Sequence, residues 1–278
     1  MILLDGKKVK EEKISILKDK INKLPRQLKL VVIQVGNNEG SNIYIKNKRK
    51  TALDLGCLFE HIKYEDNVEE QTILNKIDEL NNDPMVDGIL VQSPLPKGFN
   101  ESLIQNRVLA SKDVDGLTDI NSGLLFHNKE CLISCTPYGI LELLNYYNIE
   151  IKGKHLVIVG RSILVGRQLM ILMLNNDETV TICLLYTSRL ESITKTADIL
   201  VVAIGKPKFI TNNMIKDNAV VVDVGINREN DIICGDVDFD SVKDIASYLT
   251  PVPGGVGQMT AYELFNNLYI AYEMNKEN

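Results

Sequence analysis

The 278-residue chain has no tryptophan, three histidines and five cysteines without C-x-x-C spacing. An odd number of cysteines so placed is poor material for a disulfide framework or a zinc site, so we expect reduced thiols in a cytoplasmic protein. His61, His127 and His155 lie far apart along the sequence. We therefore expect no histidine-based metal site.

Long apolar runs and an excess of positive charge are also missing. No stretch approaches the roughly 20 apolar residues of a membrane-spanning helix, and the N-terminus lacks a signal-peptide core. The 31 basic and 37 acidic side chains give a net charge of −6, which disfavours general nucleic-acid binding. We thus expect partners that are neither nucleic acid nor membrane. The length suits two domains that each bury a core.

Short apolar runs alternate with amphipathic stretches along the chain, which indicates βαβ units and a parallel sheet. The predicted strands are 28–35, 57–63, 88–92, 156–159, 179–184, 199–203 and 219–224. The predicted helices are 41–55, 68–81, 136–147, 167–175, 189–196 and 260–274. The pattern predicts two α/β domains with a cleft between them.

The segment HLVIVGRSILVG, residues 155–166, indicates a buried strand, a tight turn and the first turn of a helix. Such a turn directs backbone N–H groups and the positive end of the helix dipole towards an anion, usually a dinucleotide pyrophosphate. Ser162 stands where G-x-G-x-x-G has its second glycine. On spacing alone, dinucleotide binding and an ordinary strand–turn–helix are equally supported.

Polar residues at other turns offer further candidate chemistry. Tyr44 and Lys48 share a helix face, which suits proton transfer, although such a pair is more often a solvated surface. Gln92 ends a predicted strand before the stiff segment Ser93–Pro96, where α/β proteins place ligands. A rigid strand end without function is nearly as well supported.

Two loops complete the candidate set. Asp113 and Asp115 in Lys112–Gly116 suit either a ligand with several N–H donors or, more often, a simple Asx-type turn. The Pro251–Gly257 loop has three glycines and two prolines, which favours close backbone approach to a ligand.

Taken in order, these segments closely resemble the methylenetetrahydrofolate dehydrogenase/cyclohydrolase family. The matching stretches are SNIYIKNK (41–48), VQSPLP (91–96), KDVDGLTDINSG (112–123), CTPYGI (135–140), VIVGRSILVG (157–166), DVGIN (223–227), GDVDF (235–239) and TPVPGGVGQMT (250–260). They cover nearly the whole chain in the family's order.

The resemblance implies an N-terminal α/β/α catalytic domain and a C-terminal Rossmann-like NAD(P)-binding domain, joined by two long helices. Their expected boundaries are 1–139, completed by helix 260–278, and 140–259. It also implies a homodimer that serves one-carbon metabolism and purine biosynthesis. The implied reactions are oxidation of 5,10-methylenetetrahydrofolate to the methenyl form with NADP, then hydrolysis to 10-formyltetrahydrofolate.

The resemblance also assigns roles to residues. Lys48 is the expected acid/base of hydrolysis, Gln92 sets its state, Tyr44 packs on the folate and Asp115 accepts hydrogen bonds from the pterin. These four are the expected catalytic residues. The expected substrate-binding set is Tyr44, Lys48, Gln92, Pro94, Asp115, Pro253, Gly254 and Gly255. The expected cofactor-binding set is Cys135, Thr136, Gly160, Arg161, Ser162, Gly166, Gly205, Ile226 and Thr260, and no metal is expected.

The sequence departs from the family pattern after the second strand of the C-terminal half. The family usually has His-Ser-Arg/Lys-Thr there, and its serine helps to bind the 2′-phosphate of NADP. This chain has Leu184–Thr187, with Leu185 at the serine position and no acidic residue to grip the 2′-hydroxyl of NAD. Arg161 remains as a phosphate partner, so we expect NADP, with NAD as the alternative.

Three positions lose a family proline, namely Ser134, Gln168 and Gln258. Each substitution frees a backbone N–H and relaxes φ. Two alternatives stay open: a monofunctional dehydrogenase with weak hydrolysis, and a catalytically silent folate- or nucleotide-binding protein. All four expected catalytic residues are intact, so we expect both reactions.

Overall fold

The computed structural model describes residues 1–229 and 232–276, which form two compact units. The six-stranded unit consists of Met1–Glu12 and Thr136–Glu263. The three-stranded unit consists of Lys13–Cys135 and Leu264–Asn278. Two α/β units agree with the predicted fold class. The last two residues of the predicted stretch 260–278 lie outside the described residues.

The elements follow in chain order. The strands are β1 (Ile2–Leu3), β2 (Lys29–Val35), β3 (Leu58–Tyr64), β4 (Gly88–Val91), β5 (His155–Val159), β6 (Thr179–Cys183), β7 (Ile199–Val202), β8 (Val220–Asp223), β9 (Asn227–Glu229), β10 (Ile232–Cys234) and β11 (Tyr248–Leu249). The helices are α1 (Gly6–Ile21), α2 (Glu39–Asp54), α3 (Glu70–Asn82), α4 (Glu101–Arg107), α5 (Asp119–Phe126), α6 (Cys135–Tyr146), α7 (Gln168–Leu174), α8 (Leu190–Thr194), α9 (Phe239–Val242) and α10 (Val256–Lys276).

The three-stranded sheet has the order β3-β2-β4, and both pairings are parallel. The side chains of β2 from Leu30 to Val35 are buried, as expected for a central strand that is covered on both faces. The chain moves from β2 to β3 on one side and then to β4 on the other. The carboxyl ends of β2 and β4 therefore border a topological switch point, where open α/β sheets bind ligands.

The main sheet of the six-stranded unit has the order β1-β11-β8-β7-β5-β6 and is parallel throughout. Leu156 to Val159 of β5 and Ile199 to Val202 of β7 are buried. The chain runs outward from β5 to β6 and then returns to β7 on the other side, so this sheet also has a switch point, between β5 and β7. The strands β9 and β10 form a separate antiparallel pair.

All seven predicted strands are confirmed within one or two residues of their ends. Strands β1 and β11, the β9–β10 pair and helix α1 were not predicted. The predicted start of helix 260–274 was wrong, because α10 already begins at Val256. Gln258 is therefore a helical residue, and the N–H that proline would lack donates to Gly255 O at 3.1 Å.

The N-terminus differs from the predicted domain boundary. Ile2 pairs with Tyr248 and Leu3 with Leu249, which adds β1 to the edge of the six-stranded sheet. Met1–Glu12 therefore belongs to that unit, although the prediction placed residues 1–139 together. Among the described residues, no helix has the length and apolar character needed to cross a bilayer.

Glu178 is a buried carboxyl group in the turn before β6. Neither of its oxygens has a hydrogen-bond partner within the described ranges. Burial without such a partner raises the pKa of Glu178 from 4.5 to about 8. The side chain therefore stays protonated in the folded protein at neutral pH.

We expect the free energy of unfolding to decrease as the pH rises from 4.5 to 8. In this range Glu178 ionises in the unfolded chain but stays protonated in the folded chain. Glu178→Gln removes this dependence, so the variant should unfold at a higher temperature than wild type at pH 7. Thermal unfolding followed by circular dichroism from pH 5 to 8 measures both effects. Glu150→Gln, at an exposed position, is the matched control. If the unfolding temperatures of Glu178→Gln and wild type changed with pH in the same way, the raised pKa of Glu178 would be contradicted.

Candidate active site

Lys48 and Gln92 meet at the switch point of the three-stranded sheet. Gln92 follows β4 and its backbone N–H donates to Ile33 O of β2 at 2.8 Å. Lys48 projects from α2, whose side facing the core carries Ser41, Ile45 and Ala52. Lys48 Nζ donates to Gln92 Oε1 at 2.8 Å. The structure thus brings together two residues that are 44 positions apart.

The amide of Gln92 has a defined orientation. Its Nε2 donates to Ser93 O at 2.7 Å, which leaves Oε1 to face the lysine. Ser93 Oγ in turn contacts the Glu101 carboxylate, and Gln105 Nε2 donates to Ser93 Oγ at 3.2 Å. Pro94 follows through a cis peptide bond. Gln92 therefore offers Lys48 an acceptor without adding a negative charge.

The electrostatics of the site lower the pKa of Lys48. Burial lowers the pKa of Lys48 from 10.5, and Asp115 and Cys135 oppose this shift without cancelling it. Burial also raises the pKa of Asp115, while the positive charge of Lys48 acts in the opposite direction. An amine with a lowered pKa next to a carboxyl group is a functional arrangement of the kind that general acid–base chemistry needs.

Asp115 is held by the loop around it. Asp113 Oδ1 accepts from Gly116 N at 3.0 Å and its Oδ2 accepts from Thr118 N at 2.8 Å. Gly116 has a φ of 68°, and a Cβ there would press on the backbone of Ile133. Asp113 therefore organises this loop, but its oxygens accept from the third and fifth residues on, and not from the second as in the Asx turn that was expected.

Asn267 of α10 joins the loops that carry Asp115 and Cys135. Its Nδ2 donates to Val114 O at 3.0 Å and to Ile133 O at 2.8 Å. The buried thiol of Cys135 also donates to Val114 O, at 3.3 Å. Sequence reasoning missed Asn267, because no turn or spacing marks a buried amide within a long helix.

Tyr44 lies one turn before Lys48 on α2 and is 54% exposed. The i, i+4 spacing places the phenol on the same side of the helix as the amine, as predicted. An exposed aromatic ring on the side of α2 that carries Lys48 offers a flat apolar surface for stacking.

The glycine turn after β5 lies at the switch point of the six-stranded sheet. Gly160 has a φ of 129°, and a Cβ there would collide with Ala203 O. A Cβ on Gly166 would collide with Gly160 O. Both glycines therefore permit close backbone approach between strand, turn and helix. Ser162 Oγ accepts from Val165 N at 3.2 Å and caps a π-helical turn, Ile163–Arg167, which leads into α7.

Arg161 is the cationic side chain of this turn. Its Nη2 donates to Tyr186 OH at 3.4 Å, which directs the guanidinium towards the segment after β6. Leu184 N donates to Thr187 Oγ1 at 2.8 Å and closes that segment into a turn. Leu185 and Tyr186 are exposed on it.

The turns after β7 and β8 carry Gly205 and Ile226. Gly205 has a φ of 64°, and a Cβ there would have no atom within 4 Å. Ile226 is exposed. Sequence reasoning missed two buried carboxylates behind these turns, Asp223 and Asp236, although both lie in the quoted motifs DVGIN and GDVDF. Burial raises the pKa of Asp223 to about 6, and its backbone N–H donors oppose that shift.

The remaining predicted residues lie near the start of α6 and α10. Thr136 Oγ1 and Thr260 Oγ1 are 3.0 Å apart. Before α10, Pro253 follows a cis peptide bond and Gly254 has a φ of 115°. Gly254 O accepts from Lys7 N at 3.1 Å, and a Cβ on Gly6 would collide with Gly255 O. The close packing of this loop against Gly6 and Lys7 is thus a structural reason for its conformation, beside the expected role of the loop in ligand binding.

The predicted site residues divide between the two units. Tyr44, Lys48, Gln92, Pro94, Asp115 and Cys135 belong to the three-stranded unit. Thr136, Gly160, Arg161, Ser162, Gly166, Gly205, Ile226, Pro253, Gly254, Gly255 and Thr260 belong to the six-stranded unit. Within the described residues, no group of three or more histidine, cysteine or acidic side chains is arranged to hold a metal ion.

Comparison with known proteins identifies the class to which both sites belong. Residues 4–115 match the family described as tetrahydrofolate dehydrogenase/cyclohydrolase, catalytic domain. Residues 134–276 match the NAD(P)-binding domain of the same family. The chain therefore belongs to the tetrahydrofolate dehydrogenase/cyclohydrolase family, as its motifs predicted.

Individual relatives agree with this assignment over nearly their full lengths. The chain is 46% identical to the bifunctional protein FolD of Caldicellulosiruptor saccharolyticus, with 96% of this chain and 97% of the relative covered. It is 48% identical to FolD of Acholeplasma laidlawii, with 98% of each covered.

Solved structures of the family have the same fold. The bifunctional FolD of Campylobacter jejuni superimposes with a TM-score of 0.97 at 40% identity and 99% coverage of both chains. The FolD of Trypanosoma brucei, solved with NADP cofactor and an inhibitor, gives a TM-score of 0.93 at 28% identity. Its superposition covers 100% of this chain and 99% of that one.

Proposed function

We propose that this protein oxidises 5,10-methylenetetrahydrofolate to 5,10-methenyltetrahydrofolate with NADP and hydrolyses the product to 10-formyltetrahydrofolate. The observation that carries this proposal is the contact between Lys48 Nζ and Gln92 Oε1, at 2.8 Å, beside Asp115. Membership of the tetrahydrofolate dehydrogenase/cyclohydrolase family supports the substrate and both reactions.

Lys48 acts as the base of hydrolysis. Burial lowers the pKa of its amine, and the neutral amine takes a proton from the attacking water. The hydroxyl group bonds to the methenyl carbon of the cationic substrate. The bond from that carbon to N5 then breaks as N5 takes up a proton and the hydroxyl loses one, which gives the formyl group on N10. The bound cation itself further favours the neutral amine.

Gln92 and Asp115 hold the reacting groups in place. Gln92 accepts one N–H of Lys48, so the nitrogen lone pair is free to face the water. Asp115 accepts hydrogen bonds from the amino group and ring N–H of the pterin. Tyr44 packs on the folate, and Pro94 lines its pocket.

The six-stranded unit fits a dinucleotide. Gly160 and Gly166 let the strand, turn and helix pack closely, so the turn presents its backbone N–H groups, and the open space beside Gly205 admits a ligand. We assign the pyrophosphate and ribose to Gly160, Arg161, Ser162 and Gly166. Cys135, Thr136, Gly205, Ile226 and Thr260 approach the cofactor through backbone or short side chains. Bound there, NADP supplies the acceptor for the hydride that leaves the methylene carbon.

Arg161 supports NADP over NAD. It is the cation of the glycine turn, and Tyr186 OH accepts one of its N–H groups. The segment Leu184–Thr187 has no carboxylate for the 2′-hydroxyl of NAD. The 2′-phosphate of NADP would thus find a guanidinium and no opposing charge from that segment.

The family resemblance extends the proposal to the cellular setting. We assign the folate to the three-stranded unit and the dinucleotide to the six-stranded unit. The protein is a cytoplasmic homodimer whose product serves purine biosynthesis.

Initial rates of methylenetetrahydrofolate oxidation with NADP⁺ and with NAD⁺ test the proposed function. We expect a clearly higher rate with NADP⁺, and Arg161→Ala should lower that rate more than the rate with NAD⁺, because only NADP⁺ carries the 2′-phosphate. A preference for NAD⁺ would contradict the cofactor assignment and make Leu185 a mark of altered specificity. No oxidation with either, by folded protein, would contradict the proposed activity and favour a silent binder.

Lys48→Met should abolish hydrolysis of methenyltetrahydrofolate, because methionine has similar length but no proton acceptor of comparable basicity. The loss should exceed ~100-fold, the lower end of what a general base contributes. Hydrolysis is followed by the disappearance of methenyl absorbance, corrected for the uncatalysed reaction. Lys46→Met, at an exposed position of the same helix, should hydrolyse at the wild-type rate. Wild-type hydrolysis by Lys48→Met would refute the role of the lysine.

A further inference from the structure

Two buried aspartates stand behind the turns that follow β7 and β8. Asp223 ends β8, and Asp236 follows β10. Asp236 has no solvent exposure and Asp223 is 3% exposed. Neither is assigned to substrate or cofactor by the proposed function. Buried carboxylates are costly unless hydrogen bonds compensate them, so their partners indicate what they stabilise.

Asp236 gathers three consecutive backbone N–H groups. Its Oδ2 accepts from Ile204 N at 2.7 Å and from Gly205 N at 3.0 Å. Its Oδ1 accepts from Lys206 N at 2.8 Å. Three successive amides that point at one carboxylate define the turn after β7 more tightly than backbone hydrogen bonds alone, because each bond is to a charged acceptor.

The same carboxylate also holds the turn after β8. Asp236 Oδ1 accepts from Asn227 Nδ2 at 2.8 Å. Because Asn227 directly follows Ile226, this bond connects the turn of Ile226 to the carboxylate that holds the turn of Gly205. A Cβ on Gly225 would collide with the carboxylate. Gly225 therefore lets the second turn pack directly against Asp236.

Asp223 fixes the position of Asp236 itself. Asp223 Oδ1 accepts from Asp236 N and from Gly225 N, both at 3.0 Å. Its Oδ2 accepts from Val237 N at 2.9 Å. A Cβ on Gly235 would collide with this second carboxylate. The two motifs DVGIN and GDVDF thus form one buried hydrogen-bonded unit.

We propose that Asp236 is a positioning residue for the dinucleotide: it holds the turns of Gly205 and Ile226 in the conformation that receives the cofactor. This inference rests on the proposed function, in which those two residues approach NADP. The carboxylate does not touch the cofactor and acts through the backbone of both turns.

Asp236→Asn tests the inference with little change in volume. An amide NH₂ in place of one oxygen would face N–H groups that need an acceptor, so two of the four hydrogen bonds are lost. We expect the Kd of NADPH, titrated by its fluorescence, to rise by about tenfold or more. Hydrolysis of methenyltetrahydrofolate without nucleotide should stay within about twofold of wild type, which a general loss of structure would not permit.

Asp240→Asn is the matched control, because Asp240 lies exposed at α9 and pairs with Lys243. It should change neither NADPH binding nor hydrolysis. If Asp236→Asn does not fold, Asn227→Ala removes one donor and leaves the carboxylate in place. That variant should bind NADPH more weakly and hydrolyse normally.

Three results would overturn the inference. NADPH affinity equal to wild type in Asp236→Asn, or in Asn227→Ala where the first variant does not fold, would remove the positioning role alone. Equal losses of NADPH affinity and hydrolysis would assign Asp236 to general stability instead. Wild-type protein that does not bind NADPH would overturn the proposed function, and this inference with it.

Discussion

The chemistry of this protein depends on the cost of burying an ammonium group. Lys48 is placed where water cannot fully solvate its positive charge, and its hydrogen-bond acceptor, Gln92, is uncharged. A carboxylate in place of the amide would stabilise the ammonium and abolish the base. Asp115 is close enough to limit the shift of the pKa of Lys48. The lysine therefore retains affinity for a proton and can still release it.

Buried carboxylates hold the turns around the candidate ligand sites in place. In both units the sites lie at switch points of parallel sheets, where the chain must leave the strands in irregular turns. Asp113 collects the N–H groups around Asp115, and Asp236 collects those around Gly205. A charged acceptor behind each turn compensates backbone donors that no strand or helix can satisfy. These two aspartates therefore position the turns and take no direct part in the chemistry.

The sequence predicted the central strands well, since strands such as β5 and β7 are buried on both faces and appear as continuous apolar runs. The two-residue strands β1 and β11 leave no such pattern. The start of α10 at Val256 was hidden by the glycine- and proline-rich loop before it. Helix spacing and a strand end marked Lys48 and Gln92 as candidates, but only the family motifs paired them, because a contact between residues 44 apart depends on sheet order. Asp236 was missed because its partners are backbone groups, which have no sequence signature.

A direct titration of the Lys48 ε-amine measures whether its surroundings destabilise the ammonium form. The measurement is a pH series of NMR spectra on protein with ¹³C-labelled lysine, with the Lys48 signal assigned from its absence in Lys48→Met. We expect a midpoint below the ordinary lysine pKa of 10.5, because burial destabilises the charged amine. A midpoint at or above that value would mean that Asp115 and Gln92 stabilise the ammonium, and it would contradict the proposed base.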